Sequence, residues 1–301
     1  MQEVTGWFLK GINFDEAPAS LEELRATSRR VTLPRDTLMK AAKWEPLLQG
    51  RRQDEAPGWV SLQTLASFRR GIATGANGFF LLSKDRLVDL NIDVRRTLPC
   101  VGRANDVRGL IFRQSEFENT ANAGGKLFLL NLFDPLTEDE RRYVEVGEAQ
   151  SLTSRFLLAN RRPWYCMEQR PVAPVWAAVF GRGDLKFVFN EAGVRSLTNF
   201  HCIYPLSSDV ITQRALTMCL NASRVREGSK IHGRVYGGGL NKFEPNDLKG
   251  IQVPDLRAVP PELLAEMSTH LDDMDRRPEE ASVRERADLL CARAAEAAAQ
   301  I

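Results

Sequence analysis

The run Arg69-Arg70-Gly71-Ile72-Ala73-Thr74-Gly75-Ala76-Asn77-Gly78-Phe79-Phe80 constrains this chain more than any other stretch. Its three glycines, with Thr and Asn between them and a phenylalanine pair at the end, describe a tight polar loop dropping into a buried strand. Glycine admits positive φ and carries no Cβ to hold a ligand away. Arg69 and Arg70 bring positive charge to the same place, so the chemistry favours an anion. A plain hairpin turn between strands at 65–68 and 79–82 fits the same residues, and the stretch alone does not decide between them.

A chain of 301 residues can bury one large core or two modest ones. No run approaches the roughly 18 apolar residues of a membrane span, and residues 1–14 lack the basic-then-apolar order of a signal peptide. A cytoplasmic protein with no membrane partner is expected. The five cysteines contain no Cys-x-x-Cys pair and the three histidines no His-x-x-x-His spacing, so buried free thiols and no structural metal are expected. The formal net charge of +2 conceals a local imbalance. Residues 155–242 carry 13 Lys/Arg against 5 Asp/Glu, whereas residues 255–301 carry 6 against 11. One concentrated basic block in a nearly neutral chain is the pattern of a protein with a single polyanion-binding face.

Short apolar runs bounded by turn residues predict strands at 65–68, 79–82, 97–101, 109–112, 126–130 and 201–205. A hairpin is predicted from 173–180 and 185–189, with Arg182 at its tip. Helices are expected at 88–95, 137–146, 151–158 and 209–221, with capping boxes at Ser20/Glu23 and Thr137/Glu140. Trp44 and Trp59 should anchor a connector over 34–59. The acidic tail should form two helices, 260–270 and 279–300, packed on the body or on a partner. The fold class is therefore mixed α/β (α+β): a twisted, largely antiparallel sheet or open barrel with flanking helices and a C-terminal helical tail.

The basic block contains several groups suited to an extended anion. Arg161-Arg162-Pro163-Trp164-Tyr165 combines a guanidinium pair with two rings, a mixture fit for phosphate contact and stacking; one ring is expected in the core. Arg195 and Asn199 lie in an irregular segment before a strand, and Asn and Arg side chains can read purine edges bidentately. Arg234, Tyr236, Gly238, Asn241 and Lys242 surround three consecutive glycines. No Gly-Lys-Ser/Thr follows, so close backbone approach to a duplex fits better than a nucleotide loop.

Together these stretches resemble the target recognition domain of adenine-specific DNA methyltransferases of restriction-modification systems. The opening run resembles its Gly-Ile-x-Thr-Gly-x-Asn-x-Phe-Phe motif. In the same order follow Asn160-Arg161-Arg162-Pro163-Trp164-Tyr165, Phe189-Asn190 with Thr198-Asn199-Phe200, and Leu220-Asn221-Ala222-Ser223 leading to Tyr236-Gly237-Gly238-Gly239-Leu240-Asn241-Lys242-Phe243-Glu244-Pro245. The resemblance covers roughly residues 40–255.

It implies a module that reads a specific duplex sequence and orients it for N6-adenine methylation, with double-stranded DNA and a methyltransferase catalytic domain or subunit as partners. It carries DNA binding onto Arg70, Thr74, Gly75 and Asn77, with the residues of the basic block named above. The family's S-adenosylmethionine loop and its Asn/Asp-Pro-Pro-aromatic motif are absent. Phe180-Gly181-Arg182-Gly183 leads into a strand instead of a helix, and Pro260-Pro261 opens a helix. No catalytic residue and no cofactor are therefore expected in this chain, S-adenosylmethionine belonging to the missing catalytic domain. The implied organisation is 1–59 as connector or tail of that domain, 60–254 as recognition domain and 255–301 as C-terminal helices. A standalone specificity subunit of a multi-chain restriction system would share this chemistry. A nuclease is the weaker alternative, because no Glu-x-Lys triplet is present.

Overall fold

The computed structural model describes residues 3–8, 20–40, 56–181, 185–229, 234–236 and 240–300. It contains two compact units, Met1–Asp54 and Glu55–Ile301.

In the first unit β1 (Glu3–Phe8) pairs antiparallel with β2 (Arg29–Pro34), with Thr5 opposite Thr32 and their hydroxyls 3.0 Å apart. Between them α1 (Leu21–Thr27) starts where expected, its Glu23 N–H donating to Ser20 Oγ at 3.1 Å. Helix α2 (Arg35–Lys40) follows β2. Trp44 lies outside the described residues.

The second unit begins with β3 (Trp59–Ser61) and β4 (Ala66–Arg70). The chain then departs from expectation. Residues 79–82 are not one strand: Phe79 and Phe80 close a single helical turn, α3 (Asn77–Phe80), and only β5 (Leu81–Leu82) is extended. Successive strand residues point to opposite faces, whereas both phenylalanine rings enter the same core. Phe79 stacks on Tyr143 with ring centroids 4.4 Å apart, and its carbonyl accepts the Tyr143 hydroxyl at 2.8 Å.

The predicted helix at 88–95 is also displaced. Helix α4 (Lys84–Asp89) is capped by Ser83 and stops before Asn91, whose φ of 50° is left-handed; a 3-10 turn then spans Val94–Arg96. After β6 (Thr97–Val101), residues 109–112 contribute only the isolated bridge Ile111 to Phe189. Their backbone has another partner, for Asp275 Oδ1 accepts the N–H groups of Leu110 (2.5 Å) and Ile111 (3.1 Å).

Helix α5 (Gln114–Asn122) and β7 (Phe128–Leu130) lead to α6 (Glu138–Ala149), where the Thr137/Glu140 capping box is fully formed. Its Glu140 carboxylate is buried and holds Arg96 through two bonds, 2.6 and 2.9 Å. The helix expected at 151–158 is broken. Ser151 has φ 56°, a 3-10 turn spans Leu152–Ser154, and only α7 (Phe156–Ala159) is helical.

The centre of the unit is an antiparallel sheet built mainly from the second half of the chain, with β4 at one edge. It comprises β8 (Val175–Ala178), β10 (Phe187–Phe189) and β12 (Phe200–Pro205), in the order β10-β8-β12-β4. The short β9 (Phe180–Gly181) and β11 (Arg195–Ser196) leave it for neighbouring sheets. Side-chain alternation gives it two buried faces. Trp176, Val188, Phe200 and Cys202 join one core with Phe80 and Phe112; Val175, Ala177, Phe187, Phe189 and Ile203 join a second. That explains why these strands read as continuous apolar runs.

The second core is closed by α8 (Val210–Asn221), which Asp209 caps, and by α9 (Ser223–Ser229). After β13 (Arg234–Tyr236), β14 (Leu240–Lys242) and β15 (Gln252–Pro254), the tail helices α10 (Pro261–Arg276) and α11 (Ala281–Ala298) complete it. Leu263, Met267, Leu271 and Met274 form the buried stripe of α10. The acidity of the tail has a structural use: Asp272 and Asp275 pair with Arg113, and Asp272 also with Arg214. The fold is thus mixed α/β with largely antiparallel sheets that do not close into a barrel. No helix among the described residues is long and apolar enough to cross a membrane.

Candidate functional site

The loop that follows β4 is one member of a chain of backbone contacts along one end of the central sheet. Gly71 N–H donates to Phe200 O at 3.0 Å, Ile72 N–H to Ser196 O at 2.9 Å and Leu197 N–H to Val101 O at 2.9 Å. Val179 N–H donates to Asn199 O and Phe243 N–H to Val179 O, both at 3.1 Å. Strand β14 then pairs with β9, Asn241 opposite Gly181, and with β13, Lys242 opposite Arg234. Residues from three of the four sequence motifs, with Val101 and residues 179–181, therefore meet in one continuous belt, and the motif at 160–165 joins it through the Arg161 side chain.

The glycines of the opening run serve different ends. A Cβ on Gly71 would lie 2.1 Å from Leu197 O, so this glycine permits the belt's own segments to touch. Gly75 has φ 79° and supplies the reversal. A Cβ on Gly78 would meet nothing within 4 Å, and Gly78 and Asn77 are the exposed tip.

Charged side chains grip the loop's backbone. Arg161 donates to Ala73 O (2.5 Å) and Thr74 O (3.2 Å), and Arg155 donates to Gly75 O (3.1 Å). Glu168 accepts the Ala73 N–H at 2.9 Å and pairs with Arg170 and Arg70. Burial pushes the Glu168 carboxyl up, but the bond from Arg170, the Ala73 N–H and the nearby guanidiniums outweigh it and hold it below the usual range. Thr74 is buried, its hydroxyl accepting the Ala76 N–H (3.0 Å) and donating to Asn77 Oδ1.

Arg70 and Arg162 are exposed; Arg162 donates to Ala159 O (2.7 Å) and Arg161 O (2.8 Å), closing α7. Half-buried Arg195 donates to Arg170 O at 3.1 Å, and Asn199 donates to Gly102 O. Both rings of the Trp164-Tyr165 pair turn inward, where one was expected. Trp164 packs on Phe79 and donates to Glu148 at 3.1 Å; Tyr165 donates to Asp134 at 3.0 Å, and burial helps push its phenol up to about 12. Lys242 lies 2.8 Å from Glu244. Arg234, Tyr236 and Asn241 are placed by their backbone alone, and Arg182 and Gly238 lie outside the described residues.

Sequence reasoning did not single out Arg155, Phe156 or Glu168. Glu168 left one signal, as the only carboxylate between Arg155 and Arg182. Phe156 left none, for its neighbours Leu157 and Leu158 read as the same apolar face.

His201 ties the belt to the sheet. Its buried ring holds Phe243 O at 2.7 Å through Nε2, and Nδ1 has no hydrogen-bond partner among the described residues. Burial depresses its pKa below the ordinary 6.5, with the Phe243 carbonyl, Glu244 and Asp247 opposing the shift and Lys242 adding to it. A histidine whose folded pKa is depressed contributes stability that is complete above the unfolded pKa and is lost as pH falls through the folded one. Urea unfolding should therefore show stability falling below about pH 6.5. The fall should be smaller in His201→Asn than in the wild type; equal falls would exclude His201 as the source.

The model of the C-terminal domain of the type II methyltransferase M.Eco57I matches residues 48–289. The type II methyltransferase M.AccI of Acinetobacter calcoaceticus is 34% identical over 217 residues, which are 71% of this chain and 40% of that protein. M.XamI of Xanthomonas campestris pv. amaranthicola is 25% identical over 244 residues, 78% of this chain and 44% of its own length. The chain thus spans less than half the length of these curated relatives. Its fold is similar to that of the type IIG restriction endonuclease BpuSI, with a TM-score of 0.52 and 12% identity over 91% of this chain and 35% of that one. From residue 48, ahead of β3, to residue 289 within α11, the chain belongs to the family of C-terminal domains of type II restriction-modification methyltransferases.

Proposed function

We propose that this chain recognises a specific sequence in duplex DNA and presents it to an N6-adenine methyltransferase catalytic domain or subunit. The observation that carries this reading is the belt itself: residues 71–72, 179–181, 196–200, 234–236 and 240–243 meet at one end of the sheet, most of them within the most basic part of the chain. The exposed tip Asn77-Gly78 would approach the bases, with Arg70 and Arg162 on phosphates. Arg195, Asn199 and Lys242 lie in the same belt. Backbone pairing places Arg234, Tyr236 and Asn241 beside them, so we retain all of these as contacts, together with Arg182 and Gly238. Arg161, Thr74 and Gly75 would act by holding the loop in shape.

We assign S-adenosylmethionine to a part of the enzyme outside this segment. Methyl transfer needs that cofactor, and the nearest approach to its glycine loop is a poor fit. Residues 187–189 return as a strand antiparallel to β8, offering no helix N-terminus. We also keep the cytoplasm, where DNA and its methyltransferases meet, as the expected location.

Fluorescence anisotropy with labelled duplexes should show binding whose affinity falls steeply with salt, and calorimetric titration of S-adenosylmethionine into the chain should give no heat. Absence of duplex binding at low salt would reject the DNA reading. Heat from the cofactor would reject its assignment elsewhere.

A further inference from the structure

Beside the glycine loop stands an aromatic ring that the fold leaves in water. Phe156 is 82% exposed, the most exposed large hydrophobic side chain among the described residues. Helix α7 is anchored by fully buried Leu158, and a Cβ on Gly75 would touch Leu157 and Leu158 at 3.2 Å, so this turn lies directly against the loop. Arg155 ties it there by donating to Gly75 O, and Asn160 Nδ2 closes the turn by donating to Phe156 O at 2.7 Å. Exposed Arg155 and Arg162 flank the turn in sequence. An apolar ring on a pinned support, bracketed by guanidiniums, suits a polyanion with an apolar interior reached through gaps between its flat faces.

Resting on the DNA reading above, we propose that Phe156 is a wedge that inserts at a base step of the bound duplex, beside the step approached by Asn77-Gly78. The arginines hold the flanking phosphates while the ring replaces part of the stacking lost where the step opens. A surface for another protein domain would use the ring as well, but the bracketing cations and the adjoining belt favour DNA.

The test uses the whole chain and a duplex selected by the wild type from a random-sequence pool. Phe156→Ala should weaken binding to that duplex about tenfold to a hundredfold. The slope of log affinity against log salt should be unchanged, because no phosphate contact is removed. Phe156→Trp should restore affinity, and the fluorescence of the added indole should be quenched on binding. Thermal melting of both variants should match the wild type, since the ring is exposed. If Phe156→Ala binds as the wild type does, the wedge is overturned while the DNA reading stands. If the wild type selects no duplex, both fall together.

Discussion

Glu140→Ala is expected to lower the free energy of unfolding by about 3–5 kcal/mol, the usual range for removing one partner of a buried ion pair. Arg96 is only 15% exposed in its side chain and Glu140 1%, so the deleted carboxylate would strand a guanidinium that water reaches poorly. The same carboxylate accepts the Thr137 N–H at 2.9 Å, so one half of the capping box of α6 is lost with the pair. Arg96 would keep its bond to Phe133 O and its position over the Phe133 ring, which limits the damage. Glu140→Gln keeps the cap geometry and loses the charge, and should be less destabilising than alanine. Chemical denaturation of the three proteins checks this; equal losses for Gln and Ala would show that the charge alone matters.

The second large effect concerns Arg161. Burial lowers its pKa from the ordinary arginine value without threatening its charge, and its guanidinium already serves two loop carbonyls. Arg161→Ala should cost about 2–3 kcal/mol of stability, near the range for hydrogen bonds to a charged group. On the proposed function it should also weaken duplex binding more than Arg162→Ala. Salt dependence separates the two roles. Arg162→Ala should reduce the slope of log affinity against log salt by about 0.9, the signature of one lost phosphate contact, whereas Arg161→Ala should leave the slope nearly unchanged. A slope change at Arg161 would make it a phosphate ligand and not a clamp.

Much of the architecture was legible where a local rule and the tertiary fold agree. Thr137 with Glu140, the helical pattern at 209–221, and the continuous apolar runs that became β8, β10 and β12 all carry their signals within a few residues. Expectation failed where a distant partner decides. Residues 109–112 have the composition of a strand, but Asp275, more than 160 residues later, takes two of their N–H groups. Phe79 and Phe80 read as strand because nothing local reveals that Tyr143 and Trp164 will receive both rings on one side. At the site, the motifs and the local concentration of basic charge were legible. The division of labour was not: whether an arginine faces outward or clamps a carbonyl depends on a backbone from another part of the chain.

On the proposed function, that clamping determines what could be moved between enzymes to change their target. A graft of residues 71–78 alone would arrive in a new host with the carbonyls of Ala73, Thr74 and Gly75 and one amide seeking partners. In this chain those partners are Arg155, Arg161 and Glu168. The smallest portable cassette is therefore a pair of stretches, about 70–80 and 155–170, that must travel together, and a chimaera splitting them should lose order in its loop before it gains a new target.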